Sequence, residues 1–131
     1  MQQKFDRGFY QEEVWAYLSC NETPVVTYNM EDVKHWVYAP CWSHTIGGQE
    51  CFLSIYQVLI QSEMFPEHME RIKGADLRYP LVIVEDEFDK YGVILDGNHR
   101  FAKSLILGKK SVNIQRIEKD ELTKNLYHKI D

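Results

Sequence analysis

Cysteine is scarce in this chain: three residues in 131 (Cys20, Cys41 and Cys51), odd in number and without tight spacing. That usage excludes the disulfide framework of a small secreted domain, and the expected compartment is the reducing cytoplasm. Long apolar runs are also missing. The longest, Leu81–Val84 and Val93–Leu95, fall far short of the ~20 residues that a membrane-spanning helix needs. The first residues, Met1-Gln2-Gln3-Lys4-Phe5-Asp6-Arg7, carry no apolar stretch or small-residue cleavage site, so no export leader is expected. Positive charge is in deficit as well, with 15 Lys+Arg against 20 Asp+Glu and a formal charge of −5. A chain this acidic is poorly suited to coating duplex nucleic acid, because that affinity comes from released counterions. Repeats, low-complexity tracts and linkers are absent from the sequence.

What is present is the composition of one folded domain, 44% hydrophobic, 13% aromatic and 27% charged. Val14, Tyr17 and Leu18 have helical spacing, and β-branched Val25–Tyr28 reads as a strand. Asn29 suits an N-cap for a helix that buries Val33, Trp36 and Val37 and ends at Pro40. Cys41–Glu50 has no clear period and reads as an irregular loop of the kind that carries sites. Ser54 is placed to cap a helix with Ile55, Val58 and Leu59 inside. Another helix runs from Pro66 to Lys73, with Gly74 as its C′ residue. Leu81–Val84 and Tyr91–Leu95 are strands around an acidic connector, Glu85–Asp89. A helix from His99 to Gly108, a strand at Val112–Ile117 and a last helix capped by Asp120, with Leu122 and Leu126, complete the chain. The expected class is α+β.

Chemistry concentrates in Val93-Ile94-Leu95-Asp96-Gly97-Asn98-His99-Arg100-Phe101-Ala102. A buried strand ends in a glycine turn that opens directly into a helix. Such a junction aims unpaired backbone N–H groups and the positive end of the helix dipole at one spot. Gly97 lets the chain bend and lets a ligand approach, and Arg100 can grip an anion with two parallel bonds. A cation in the first helical turn is otherwise unfavourable by roughly 0.3–1 kcal/mol. The same residues have plainer uses: Asp96 as turn residue or cap, and Arg100 as its surface partner.

Leu95-Asp96-Gly97-Asn98-His99-Arg100-Phe101-Ala102-Lys103, followed by Leu107-Gly108 and the strand at Val112, resembles the D-G-x-H-R-x-x-A signature of small ParB-like "nuclease" proteins in the ParB/sulfiredoxin superfamily. Asp76–Pro80 leading into Leu81–Val84 is similar to the preceding strand in those proteins, and the likeness extends from about Val25 to Ile117 of a single domain, 1–131. The resemblance implies a compact α+β fold, a small mixed sheet packed with helices, that binds nucleotide phosphates at this helix N-terminus. It assigns Gly97, Asn98, His99 and Arg100 to a nucleoside triphosphate (ATP or CTP) with Mg²⁺. Asn98 falls where sulfiredoxins carry their catalytic cysteine, so sulfiredoxin chemistry is not expected. The arginine-rich box of chromosome-partitioning proteins is absent too, and their DNA-binding and dimerisation domains are not expected.

Phosphoryl transfer would also need a base. Glu22, Glu31 and Glu50 are candidates, Glu50 for its place near His44, Gly47 and Gly48, with Asp96 and His99 as the other catalytic candidates. Lys109-Lys110 is a solvated turn that could attract a phosphorylated ligand, and Trp42 is either a core ring or a platform for a base. Cys41, His44 and Cys51 lack the paired spacing of a zinc site. His35 and His68, on expected helices, read as surface or interface histidines. Three function classes follow: a phosphotransferase or nucleotide hydrolase acting on a small-molecule or protein acceptor, a non-catalytic nucleotide-sensing or partner-binding module, and a nuclease or nucleic-acid binder, disfavoured by charge.

Overall fold

The four consecutive apolar residues Leu81–Val84 determine the architecture. A strand without polar alternation must be covered on both faces, and each of these residues is at most 3% exposed. In the computed structural model, which describes residues 11–120, they begin β4 (Leu81–Asp86), an inner strand. β4 runs antiparallel to β5 (Asp89–Asp96) and parallel to β6 (Ser111–Ile117), and β1 (Val26–Asn29) pairs antiparallel with β6. The sheet order is β1-β6-β4-β5. Leu81 and Ile83 enter the larger core with Trp36, Trp42, Phe101 and Ile114. Val82 and Val84 face the other way and are covered by Val14 and Leu18 of α1 (Gln11–Cys20). The result is an α+β domain, and among the described residues no helix is long and apolar enough to cross a membrane.

A parallel β4–β6 pair needs a crossover, which α5 (Asn98–Ile106) supplies, burying Phe101, Ala102 and Ser104. Its C-terminus is a Schellman motif. Gly108 sits in the left-handed region at φ +70°, its N–H donates to the Leu105 carbonyl, and the Lys109 N–H donates to the Ser104 carbonyl. Lys103 Nζ donates to the carbonyls of Lys73 and Ala75, both at 2.8 Å, tying α5 to the C-terminus of α4 (Pro66–Gly74). Gly74 is thus the last residue of α4 rather than its C′ residue.

The segment expected to be an irregular loop is a β-hairpin. β2 (Pro40–Ile46) and β3 (Gln49–Ser54) pair antiparallel, with Ile46 opposite Gln49 and His44 opposite Cys51. Gly47 and Gly48, at φ +59° and +82°, make a two-residue turn whose twist suits a hairpin. Ser54 ends β3 and caps α3 (Ile55–Ile60) through a reciprocal box with Gln57. Asn29 precedes α2 (Met30–Val33) but makes no side-chain cap bond. Instead the Met30 N–H donates to the Lys110 carbonyl at 2.8 Å, and after Val33 the helix tightens to a 3-10 turn over Lys34–Tyr38. The acidic connector contracts to Glu87–Phe88, because β4 and β5 extend to Asp86 and Asp89. The helix expected after Asp120, with Leu122 and Leu126, lies outside the described residues.

Gly92 on β5 locks the sheet to the larger core. It has φ +83°, and an added Cβ would lie 2.6 Å from both Ile83 Cγ2 and the Val84 carbonyl oxygen. Its own carbonyl accepts from Trp36 Nε1 at 2.9 Å. Gly92→Ala is expected to destabilise the protein by at least about 2 kcal/mol, from the left-handed backbone and the overpacking together. Urea unfolding measures this, and an unchanged midpoint would contradict it.

Candidate functional site

The β5–α5 junction has the form that its sequence implies. Gly97 occupies the N-cap position at φ +112°, and no side chain caps the helix. The first helical bond is Phe101 N–H to the Gly97 carbonyl at 2.8 Å, so the amides of Asn98, His99 and Arg100 lie ahead of the intrahelical ladder.

Arg100 turns inward rather than out to water. Its guanidinium folds back over Gly97, where an added Cβ would meet Nη2 at 2.9 Å, Nε at 3.2 Å and Leu81 Cδ2 at 2.8 Å. The open approach at Gly97, expected to admit a ligand, is therefore filled by the protein's own guanidinium. Nη2 donates to the Pro80 carbonyl at 3.2 Å and lies 3.5 Å from Asp96 Oδ2. Nε is buried with no hydrogen-bond partner, a position that costs about 1–3 kcal/mol. Both charged side chains are mostly covered, 18% exposed for Arg100 and 16% for Asp96. Asp96 Oδ2 also accepts from Trp15 Nε1 at 3.2 Å, so this carboxylate holds α1 and Arg100 together.

His99 goes elsewhere. Successive helical residues diverge by about 100°, and its ring stacks on Trp42 with centroids 4.5 Å apart. His68 of α4 stacks on the same indole at 4.4 Å. The two imidazoles meet edge to edge, with His68 Nδ1 3.2 Å from His99 Nε2. Burial first, then His68, Arg71 and Arg100, push His99 down to about 4. His68 is lowered too, by burial, Arg71 and His44. Both rings are neutral near pH 7, and one donates its N–H to the other. Of the two roles open to Trp42, core ring or platform for a base, the structure shows the core ring, 9% exposed and covered by two histidines. His68, expected at the surface or an interface, is half-buried against Trp42 and His99.

The other candidates are dispersed. Glu50 is exposed on β3 opposite Thr45, Glu31 pairs with Lys34 at 3.0 Å, and Glu22 sits in a turn at φ +49°. Among the described residues none of the three has a hydrogen bond to the 96–100 segment. His44 packs edge-on against Phe65. Among the described residues no group of three or more His, Cys, Asp or Glu side chains is placed to hold a metal ion.

Two residues that sequence reasoning passed over lie beside Arg100. A pocket of about 690 Å³ is lined by Trp15, Leu18, Tyr79, Pro80, Arg100 and Gln115, among others. Trp15 and Tyr79 are 47% and 61% exposed, high for aromatic rings and suited to offering their faces to a ligand. Their only sequence signal was an aromatic on a short helix and another before Pro80. Comparison of the chain with protein families, with curated proteins and with solved structures gives no match.

The depressed histidines fix a pH dependence. The unfolded chain protonates His99 near its ordinary 6.5, the folded chain only near 4. Stability is therefore fullest above the unfolded value and declines as pH falls from about 7 toward about 4. Imidazole proton shifts followed by NMR should place the His99 midpoint near 4, and His99→Gln should shrink the acid-side loss of stability. A His99 midpoint at the ordinary value would contradict the buried, stacked arrangement.

Proposed function

We propose that this chain is a nucleotide-binding domain of ParB/sulfiredoxin-like type, working in the cytoplasm and holding nucleotide phosphates at the N-terminus of α5. The observation that carries this reading is the mostly covered Arg100 guanidinium, its Nε unpartnered, beside a helix N-terminus that no side chain caps. Dipole and cation repel each other there, and Asp96 at 3.5 Å is a long and partial counterweight. A phosphoryl group would satisfy both, accepting from the amides of Asn98–Arg100 and from the guanidinium. The adjoining pocket, about 690 Å³, has the size of a small-molecule site, and Trp15 and Tyr79 suit a base and sugar. Mg²⁺ would arrive on the phosphates. Such an ion needs only one or two protein carboxylates, and Asp96 stands at the site to supply one.

Phosphoryl transfer to a small-molecule or protein acceptor is the second reading. His99, neutral near pH 7 and next to Arg100 in sequence, is its candidate proton acceptor, and a weak one because burial holds it down to about 4. Glu50 is the poorer candidate because it lies out on the hairpin, opposite Thr45. Nucleic acid is disfavoured as partner by the charge of −5.

Calorimetry with ATP and CTP, each with Mg²⁺, tests the proposal. Wild type should bind at least one of them, and Arg100→Lys, which keeps the charge but loses the fork, should weaken binding by about tenfold or more. No binding at millimolar nucleotide would overturn it. Product formation that is lost in His99→Gln would establish the transfer reading.

A further inference from the structure

A second cavity shares the Arg100–Tyr79 wall. It encloses about 220 Å³, and its polar lining comes from Tyr79, Arg100, Ser104, Lys109, Ser111 and Asn113. Two cations line it and no carboxylate does, in a chain that carries five more acidic than basic residues. The donors at its wall are the two cations and the Asn113 amide. Asn113 commits its amide oxygen to the Thr27 hydroxyl at 3.0 Å, leaving the amide N–H₂ as its free end. The Ser104 hydroxyl spends its one proton on the Arg100 carbonyl at 3.0 Å and brings no donor to the cavity. Asp76, in the segment leading to this wall, is held by Arg78 through bonds of 2.7–3.1 Å and so brings no free negative charge.

The position of Lys109 follows from the backbone. The Schellman motif pins its N–H to the Ser104 carbonyl at 3.0 Å, which places the residue at the cavity. The next residue is pinned differently, the Lys110 carbonyl accepting from Met30 N–H at 2.8 Å, and Lys110 does not line the cavity. Two adjacent lysines of equal charge are thus sorted by geometry, one toward the cavity and one away.

We infer that this cavity is a polyphosphate subsite: the phosphate chain of the ligand passes along Arg100 and ends against Lys109, so the domain selects nucleoside di- and triphosphates over monophosphates. The inference rests on the nucleotide reading above and adds to it the group, Lys109, that holds the far end of the phosphate chain. A monophosphate held at the α5 N-terminus would have no use for Lys109. A longer chain spans both cavities and brings its terminal charge to the second cation.

Calorimetry with adenosine, AMP, ADP and ATP on wild type, Lys109→Ala and Lys110→Ala tests this, because the two variants alter net charge equally. Wild type and Lys110→Ala should bind ATP about tenfold more tightly than AMP, and Lys109→Ala should lose that preference while keeping its affinity for AMP. Equal effects of the two variants, or an unchanged preference in Lys109→Ala, would overturn the subsite even where nucleotide binding itself holds. If wild type binds no nucleotide, inorganic tripolyphosphate decides. Binding that Lys109→Ala abolishes and Lys110→Ala keeps would sustain an anion subsite and end the nucleotide reading, and no binding would end both.

Discussion

The arrangement depends on a guanidinium lying against a glycine. Arg100 folds back onto Gly97 so closely that any Cβ there would meet Nη2 at 2.9 Å, and only glycine accommodates both this approach and φ +112°. The contact draws the Arg100 head to the ends of β4 and β5, where the Pro80 carbonyl and Asp96 receive it. It also leaves Nε buried without a partner. A charge kept covered and incompletely bonded, next to a helix dipole of the same sign, costs stability unless something anionic completes it.

Several features follow from that placement. Because Arg100 occupies the strand side of the first turn, His99 is rotated onto Trp42 and paired with His68. The two basic residues that sequence placed in one cradle therefore act in different surroundings, one as a cation, the other as a neutral imidazole. Arg100 also forms a wall common to the aromatic cavity under Trp15 and the basic cavity at Lys109. Asp96 joins α1 to this wall through Trp15, so the helix that covers the second face of the sheet also completes the larger cavity.

Local signals were legible where they were strong. The apolar run Leu81–Val84, the Ser54 cap and the Gly97 turn all appear as the residues imply. The β2–β3 hairpin was legible in principle, since Gly47-Gly48 between Ile46 and Gln49 is a two-residue turn signal. It was obscured because Trp42 and His44 on one face and Ser43 and Thr45 on the other do not make a clean apolar alternation. The His68–His99 pair was beyond reach, since it joins residues 31 apart through a shared indole. Likewise, whether Arg100 faced water or the strand ends depended on space that only the packed Leu81 and Pro80 define. Trp15 and Tyr79 carried no site signal because only long-range packing brings them to one pocket.

The central claim, that Arg100 and the α5 amides are held ready for an oxyanion, is tested most directly by two-dimensional ¹H–¹⁵N NMR of the protein titrated with Mg-ATP and Mg-CTP. The Arg100 Nε–Hε signal and the backbone amides of Asn98, His99 and Arg100 should move together and saturate with one affinity. Titrations that leave all four signals in place would contradict the account.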